Sequence, residues 1–352
     1  MLFNIVDLPK GSFIQLEKQA KDYILRNIKS SSNTRANIIR KLKHFSADTG
    51  LALSLIHFLK NNNMSIYDFY GKSGDRSFSR LLVEAGLKED FHCEKEKMIT
   101  SRLPSLFHLD SPTLLRFLLK FLEDGTVMNG EEKLMLNMFY YSFFRSHPEK
   151  QGLASIEQGL QSILQYQEFK DEIRSILEFQ FESLETMEMA NDYSFPCPLR
   201  VHCRYSTAQV LASLDYYNES QSPAFREGVK YFQDQDLDIF FITLNKSDKD
   251  FSPSTLYDDY AINEYLFHWQ SQSRVAEGST TANRYIHHRQ NNHKIALFVR
   301  EYKKEYGYTS PFIYLGTAEY VKHSGSKPVS FVWRLKTEMP SYLVPKANKN
   351  IL

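Results

Sequence analysis

Between Ile239 and Trp269 the chain carries the residue types best suited to holding a flat ligand that forms hydrogen bonds. Tyr257 and Tyr260 flank the adjacent acids Asp258 and Asp259, and Trp269 follows about ten residues later. Aromatic faces can replace the stacking of an extruded nucleobase, and a carboxylate can accept from the amine that cytosine has and thymine lacks. Phe241 and Thr243, on the preceding apolar run, offer apolar contact, and Ser271 and Gln272 can bond a base edge or a phosphate. Arg274, Arg284, Arg289, Lys294 and Lys322 lie in or beside the connections that follow, where long cationic side chains reach phosphates without reading sequence. Asp259 is the first candidate for the acid facing a base and Asp258 the second, and the choice stays open. A plainer reading makes Tyr257 and Trp269 core residues and has the acids cap the turn near Ala261.

Other chemistry lacks its motifs. No GxxxxGK[ST] phosphate loop occurs, and no histidine has the lysine two residues on that a phospholipase-D nuclease requires. His287, His288 and His293, with Asn291 and Asn292, are the one alternative nuclease constellation. Cys197, His202 and Cys203 lie close together, but their spacing, without a second cysteine pair, does not make a zinc site. No metal or cofactor is expected.

The elements that must position these residues fall into two halves. Lys18 to Phe45, Leu51 to Leu59, Thr113 to Glu123, Glu131 to Phe144, Ser155 to Leu164 and Phe169 to Met189 repeat apolar residues at helical spacing, with Ser111 and Pro112 as a cap and first-turn pair. The short helix, turn and longer helix over Ser65 to Gly86 would suit a DNA-binding motif with Arg76 and Arg80 on phosphates, or a plain helical bundle. Phe139, Tyr140, Tyr141, Phe143 and Phe144 on one helix read as core. The Pro-flanked stretch Phe195 to Pro198 marks a boundary, giving a helical domain over 1–193 and a second domain over 194–352. Thr207 to Tyr216 is a helix and Tyr231 to Phe232 a short strand. Five runs then read as strands: Ile239–Leu244, Tyr265–Gln270, Ile295–Glu301, Phe312–Val321 and Val329–Leu335. The fold class is α+β, an all-α half followed by a small curved sheet or partly closed barrel.

The strings LNKSDKDFSPSTLYDDYAINEYLFHWQSQS, NRYIHH, LFVREYK, YLGTAEYVKH and VWRL closely resemble the C-terminal region of bacterial helicase-like proteins. LPKGSFIQLEKQAKDYILRNIK, DTGLALSLIHFL, YDFY and SFSRLLVEAGL extend the likeness into the first half. In the best understood members, type IV restriction enzymes of the staphylococcal kind, this region follows a phospholipase-D-type nuclease and a DEAD/DEAH-type ATPase. The resemblance implies an SRA-like second domain that reads 5-methyl- or 5-hydroxymethylcytosine in duplex DNA by base flipping. It implies a module that is not an enzyme by itself, with the ATPase and nuclease domains of the parent polypeptide as partners. The alternative is a non-catalytic scaffold coupling such an ATPase to a protein partner.

Composition fits a folded protein: 352 residues, 42% apolar and 24% charged. No apolar run approaches the ~20 residues that span a bilayer, so a soluble, cytoplasmic protein with no membrane partner is expected. Three scattered cysteines agree with a reducing compartment. Net charge is +1, but its distribution is uneven. Met1 to Lys60 holds ten Lys/Arg against four Asp/Glu, Arg200 to Glu264 six against eleven, and Arg274 to the end thirteen against five. Two basic regions flank an acidic one, as a phosphate-contacting rim around a carboxylate-bearing site would.

Overall fold

The computed structural model describes residues 33–144, 146–216, 228–246 and 259–347. Nine α-helices fill the described part of the first half: α1 (Arg35–Thr49), α2 (Leu55–Asn61), α3 (Ile66–Tyr70), α4 (Phe78–Glu84), α5 (Glu96–Arg102), α6 (Pro112–Asp124), α7 (Gly130–Phe143), α8 (Ile156–Leu164) and α9 (Gln167–Glu182). Their starts are dictated locally. Thr34, Ser54, Ser65, Ser77, Ser111, Asn129 and Ser155 each sit in extended backbone and accept a hydrogen bond from an N–H of the first turn. Pro112 follows Ser111, where its missing N–H costs nothing.

Helix α7 is buried from Met135 to Phe143, so its aromatic stripe is core on every side. A Cβ at Gly159 of α8 would collide with the Tyr140 ring, and the glycine is what lets the two helices approach. Arg76 and Arg80, the phosphate contacts of the DNA-binding alternative, make their bonds within the helical half. Arg80 bonds Glu96 and Asp90 and lies 4.5 Å over the Phe91 ring, while Arg76 donates to the carbonyls of Asn33 and Phe69.

After α9 the chain becomes extended, earlier than the expected helix to Met189. β1 (Met189–Ala190) pairs with β2 (Arg200–Val201), followed by β3 (Arg204–Tyr205), α10 (Thr207–Ala212), β4 (Val229–Phe232) and β5 (Leu237–Asn245). Then come β6 (Tyr260–Ala261), β7 (Leu266–Gln270), α11 (Thr280–Ile286), β8 (Lys294–Tyr302), the hairpin β9 (Lys304–Glu305) and β10 (Tyr308–Thr309), β11 (Phe312–Ser324), β12 (Ser330–Leu335) and α12 (Val344–Ala347). The main sheet runs β4-β5-β8-β11-β12-β7-β6, with β3 added beside β11. β5 and β8 are parallel and the other pairs antiparallel. Among the described residues the sheet is open, ending at β4 and β6, and no barrel closes.

Both faces of the central strands are covered, which is why they read as continuous apolar runs rather than alternating ones. On β5, Leu237 and Ile239 face the core shared with the helices, while Phe240, Ile242 and Leu244 face a second core with Trp269, Tyr285 and Trp333. The first core is continuous from Ile38 in α1 to Tyr314 in β11. Cys197, Leu199, Val201, Cys203 and Tyr205, just past the expected boundary, are part of it. The boundary segment is itself fastened to the sheet: Thr317 Oγ1 donates to Asp192 at 2.8 Å, and Tyr314 and Tyr193 join hydroxyls at 2.9 Å.

Candidate functional site

Tyr257 and Asp258 lie outside the described residues. The remaining members of the expected base pocket do not converge. Trp269 is 5% exposed and stacks on Phe240 at 4.0 Å, between Tyr285 and Phe331, in the second core. Phe241 and Thr243 alternate to the opposite face of β5, where Phe241 packs on Phe298 and Phe312, and Thr243 accepts from Arg300 at 2.9 Å. A period of two in the strand puts them across the sheet from Trp269.

Asp259 is also structural. It is 2% exposed, accepts from Lys246 Nζ at 2.6 Å and receives the Gln270 N–H at 3.0 Å, fixing β7 to the chain before β6. Burial pushes its carboxyl above the ordinary range, against the pull of Lys246. Ser271 is fully buried and its hydroxyl receives the Val329 N–H at 2.9 Å. Tyr260 stacks on His268 at 4.6 Å. Trp269 is a core residue, as the plainer reading has it, whereas Asp259 fastens β7 and Lys246 rather than capping the turn near Ala261.

A different concavity exists at the β4 edge. In register, Tyr231 of β4 stands beside Asp238 of β5. Helix α11 crosses this corner. Ser279 caps its start, Ala282 and Tyr285 bury into the second core, and Arg284, one residue before Tyr285, is thereby aimed at the strand pair. Arg284 donates to both Asp238 oxygens, Nε at 2.7 Å and Nη2 at 3.1 Å, and its guanidinium lies 4.0 Å over the Tyr231 ring. His293, just before β8, reaches the same carboxylate with Nε2 at 2.8 Å. Asp238 is fully buried, and a buried carboxylate persists only with such partners.

Around this anchor opens a cleft of about 460 Å³, walled by Lys230 and Tyr231 from β4, by Gln272 and Arg274 from the connection after β7, and by Ser279 and Thr281 at the start of α11. Tyr231 is 36% exposed, Arg274 is exposed, and Gln272 accepts from Arg274 Nε at 3.0 Å. Lys230 bonds the Tyr216 hydroxyl at 2.7 Å. Arg284 is paired with Asp238, and Lys230 and Arg274 bring two further cationic side chains to the wall. The cleft joins a partly exposed aromatic ring, hydroxyl and amide groups, and cations, as a ligand that is part aromatic and part anionic requires.

Of the expected phosphate contacts, Arg274 lines this cleft and Arg284 is bound to Asp238. Arg289 pairs with Glu319, Lys294 donates to Asp192 at 3.0 Å, and Lys322 is exposed on β11 away from the cleft. Two of the three histidines of the alternative constellation, His288 and His293, are held in structural bonds, and His287 is exposed. His288 donates from Nδ1 to the His293 carbonyl at 2.9 Å and receives the Tyr320 N–H on Nε2 at 3.0 Å, and burial lowers its pKa. It is therefore a neutral structural group. Among the described residues no three His, Cys, Asp or Glu side chains gather as metal ligands.

Lys230, Tyr231, Asp238, Ser279, Thr281 and Tyr285 were not singled out from sequence. One signal was available. An acid inside the run Leu237–Leu244 has to be buried, and a buried acid needs a cation from elsewhere.

This cleft and its anchor lie within one recognised unit. Residues 199–346 match a domain of unknown function, DUF3427. The DUF3427 domain is found in helicase-associated proteins. The match takes in β2 to β12, the whole Arg284–Asp238–His293 network and every wall of the cleft. No curated protein matches the chain. Among the described residues no helix is long and apolar enough to cross a membrane.

Proposed function

We propose that the chain is a DNA-reading module that recognises duplex DNA carrying 5-methyl- or 5-hydroxymethylcytosine, with the β4–α11 cleft as the place where a nucleotide is held. The observation that carries this reading is the meeting of an exposed tyrosine ring, Tyr231, with the cation Arg274 and the hydrogen-bonding groups of Gln272, Ser279 and Thr281 around one cleft. A ring face offers stacking worth roughly 1 to 3 kcal/mol per base, and arginine offers a phosphate contact. Val229 and Val275 give the same wall apolar surface on which a 5-methyl group can rest. A cleft of about 460 Å³ lies within the range of small-ligand sites and admits one extruded nucleotide.

On this reading the chain supplies recognition and no catalysis, and ATP hydrolysis and DNA cleavage belong to upstream domains of a parent polypeptide. The long string resemblance to helicase-like restriction proteins and the DUF3427 match support that placement. The test is a titration of one fluorescent duplex, methylated or unmodified at a single cytosine pair. The methylated form is expected to bind roughly tenfold tighter, a difference of about 1.4 kcal/mol. Equal affinities would remove the modified-base reading, and binding of neither duplex would favour the scaffold.

A further inference from the structure

Across the buried Asp238–His293 pair lies a second, smaller cavity of about 150 Å³, with Arg289, Lys294, Thr317 and Lys336 in its wall. Lys294 opens β8, Thr317 lies midway along β11, and Lys336 follows β12, its N–H bonded to the Thr317 carbonyl. These elements bring three donors to one point. Lys294 Nζ and Lys336 Nζ both reach Asp192 Oδ2, at 3.0 Å and 2.7 Å, and Thr317 Oγ1 donates to Asp192 Oδ1 at 2.8 Å.

Two ammonium groups on one oxygen repel each other, so the arrangement depends on an anion between them. The anion present is the side chain of Asp192, carried by the irregular segment between β1 and β2 and still 37% exposed. Burial opposes its charge, but Lys336, Lys294 and Thr317 outweigh that and hold the carboxyl below its ordinary range. Arg289, paired with Glu319, adds a third cation to the same wall. Three cations face two carboxylates, and the pocket keeps a positive excess.

We infer that this pocket is a phosphate oxyanion site, in which phosphate oxygens take the donors of Lys294, Lys336 and Thr317 while Asp192 is the internal carboxylate that holds those donors in the ligand's absence. A tetrahedral oxyanion satisfies all three donors at once and has an edge left for Arg289. The site is separate from the β4–α11 cleft and does not rest on its function. The phosphate can come from a nucleic-acid backbone, from a terminal phosphate or from free phosphate.

The test titrates the whole chain with inorganic phosphate, replacing chloride at constant ionic strength, and reads the thermal midpoint. Phosphate should raise the midpoint of the wild type in a saturable way. Lys336→Met should weaken phosphate roughly tenfold or more, and Lys294→Met should do the same if either variant alone fails to fold. Asp192→Asn carries the distinguishing outcome. A purely structural Asp192 would leave phosphate affinity unchanged or lower it, whereas removal of a competing internal anion tightens it by roughly fivefold. No phosphate effect on the wild type, or identical titrations of the wild type and Lys336→Met, overturns the assignment, as does an Asp192→Asn variant that binds phosphate no better.

Duplexes with and without a 5′-phosphate identify the source. A Lys336→Met loss confined to the phosphorylated duplex assigns a terminal phosphate, an equal loss with both assigns the backbone diester, and a phosphate effect with no loss on either duplex assigns free phosphate.

Discussion

Asp238 and Asp259 show how differently two buried carboxylates in one sheet are used. Asp238 is held by an arginine and a histidine at the wall of a cleft, so its charge shapes a surface that ligands can reach. Asp259 is held by Lys246 and the Gln270 N–H inside the fold, so its charge fastens one strand to its neighbour. Its removal is a stability experiment. Asp259→Ala leaves Lys246, 9% exposed at its side chain, without that carboxylate and should lower unfolding free energy by about 3 kcal/mol in a denaturant titration. The preference between methylated and unmodified duplex should be unaltered for the fraction that is folded. A variant with wild-type stability and lost discrimination would return Asp259 to the ligand site. Trp269 follows the same logic. Nothing in its position along the chain distinguishes a ring facing a ligand from one facing Phe240, because that depends on which face of β7 is covered.

At the scale of elements, the strands were legible because their runs of Ile, Phe, Val and Leu are short, β-branched or aromatic, and bounded by turn residues. The Ile239–Leu244 run is the interior of β5, and Ile295–Glu301 that of β8. Helix α11 was not legible: its seven residues carry two buried apolar side chains, Ala282 and Tyr285, too few for a periodicity to emerge. Missing it concealed the cleft, since α11 is the element that carries Arg284 to Asp238. Pairing was also beyond local pattern, and the parallel register of β5 with β8 is what brings His293 to the same carboxylate.

The joint between the two halves has its own signature in pH. His108, buried after α5 and the turn that follows, makes a 2.8 Å bond from Nε2 to Gln209 Oε1 on α10. Burial pushes its pKa down to about 4, despite the raising effect of Gln209. Folded His108 therefore stays neutral while the unfolded chain takes up a proton below the ordinary histidine value of about 6.5. Its contribution to stability is complete above that value and is lost as the pH falls toward 4. Between pH 7 and pH 4.5 the wild type should lose about 2 kcal/mol more than a His108→Gln variant, measured by urea unfolding at both pH values. Parallel losses would show that His108 titrates the same way folded and unfolded.

For the molecule as a whole, one cluster of buried residues runs from Ile38 in α1 to Tyr314 in β11 and is shared by the helices and the sheet. Cys197, within the Pro-flanked stretch, and Leu199 and Val201 just after it are core residues. The Arg284–Asp238–His293 network links the two cavities, His293 lining one and Asp238 and Arg284 the other. The central claim is that the β4–α11 cleft holds the nucleotide, and paired substitutions at its open wall test it most directly. Tyr231→Ala removes a 36% exposed ring and Arg274→Gln an exposed cation, and neither change empties the core. Measured by fluorescence anisotropy on methylated duplex, Tyr231→Ala should weaken binding roughly tenfold and erase most of the preference over unmodified duplex. Arg274→Gln should weaken both duplexes alike and flatten the slope of log K against log salt by roughly one. Wild-type affinity and preference in both variants would contradict the account and place the nucleotide elsewhere on the chain.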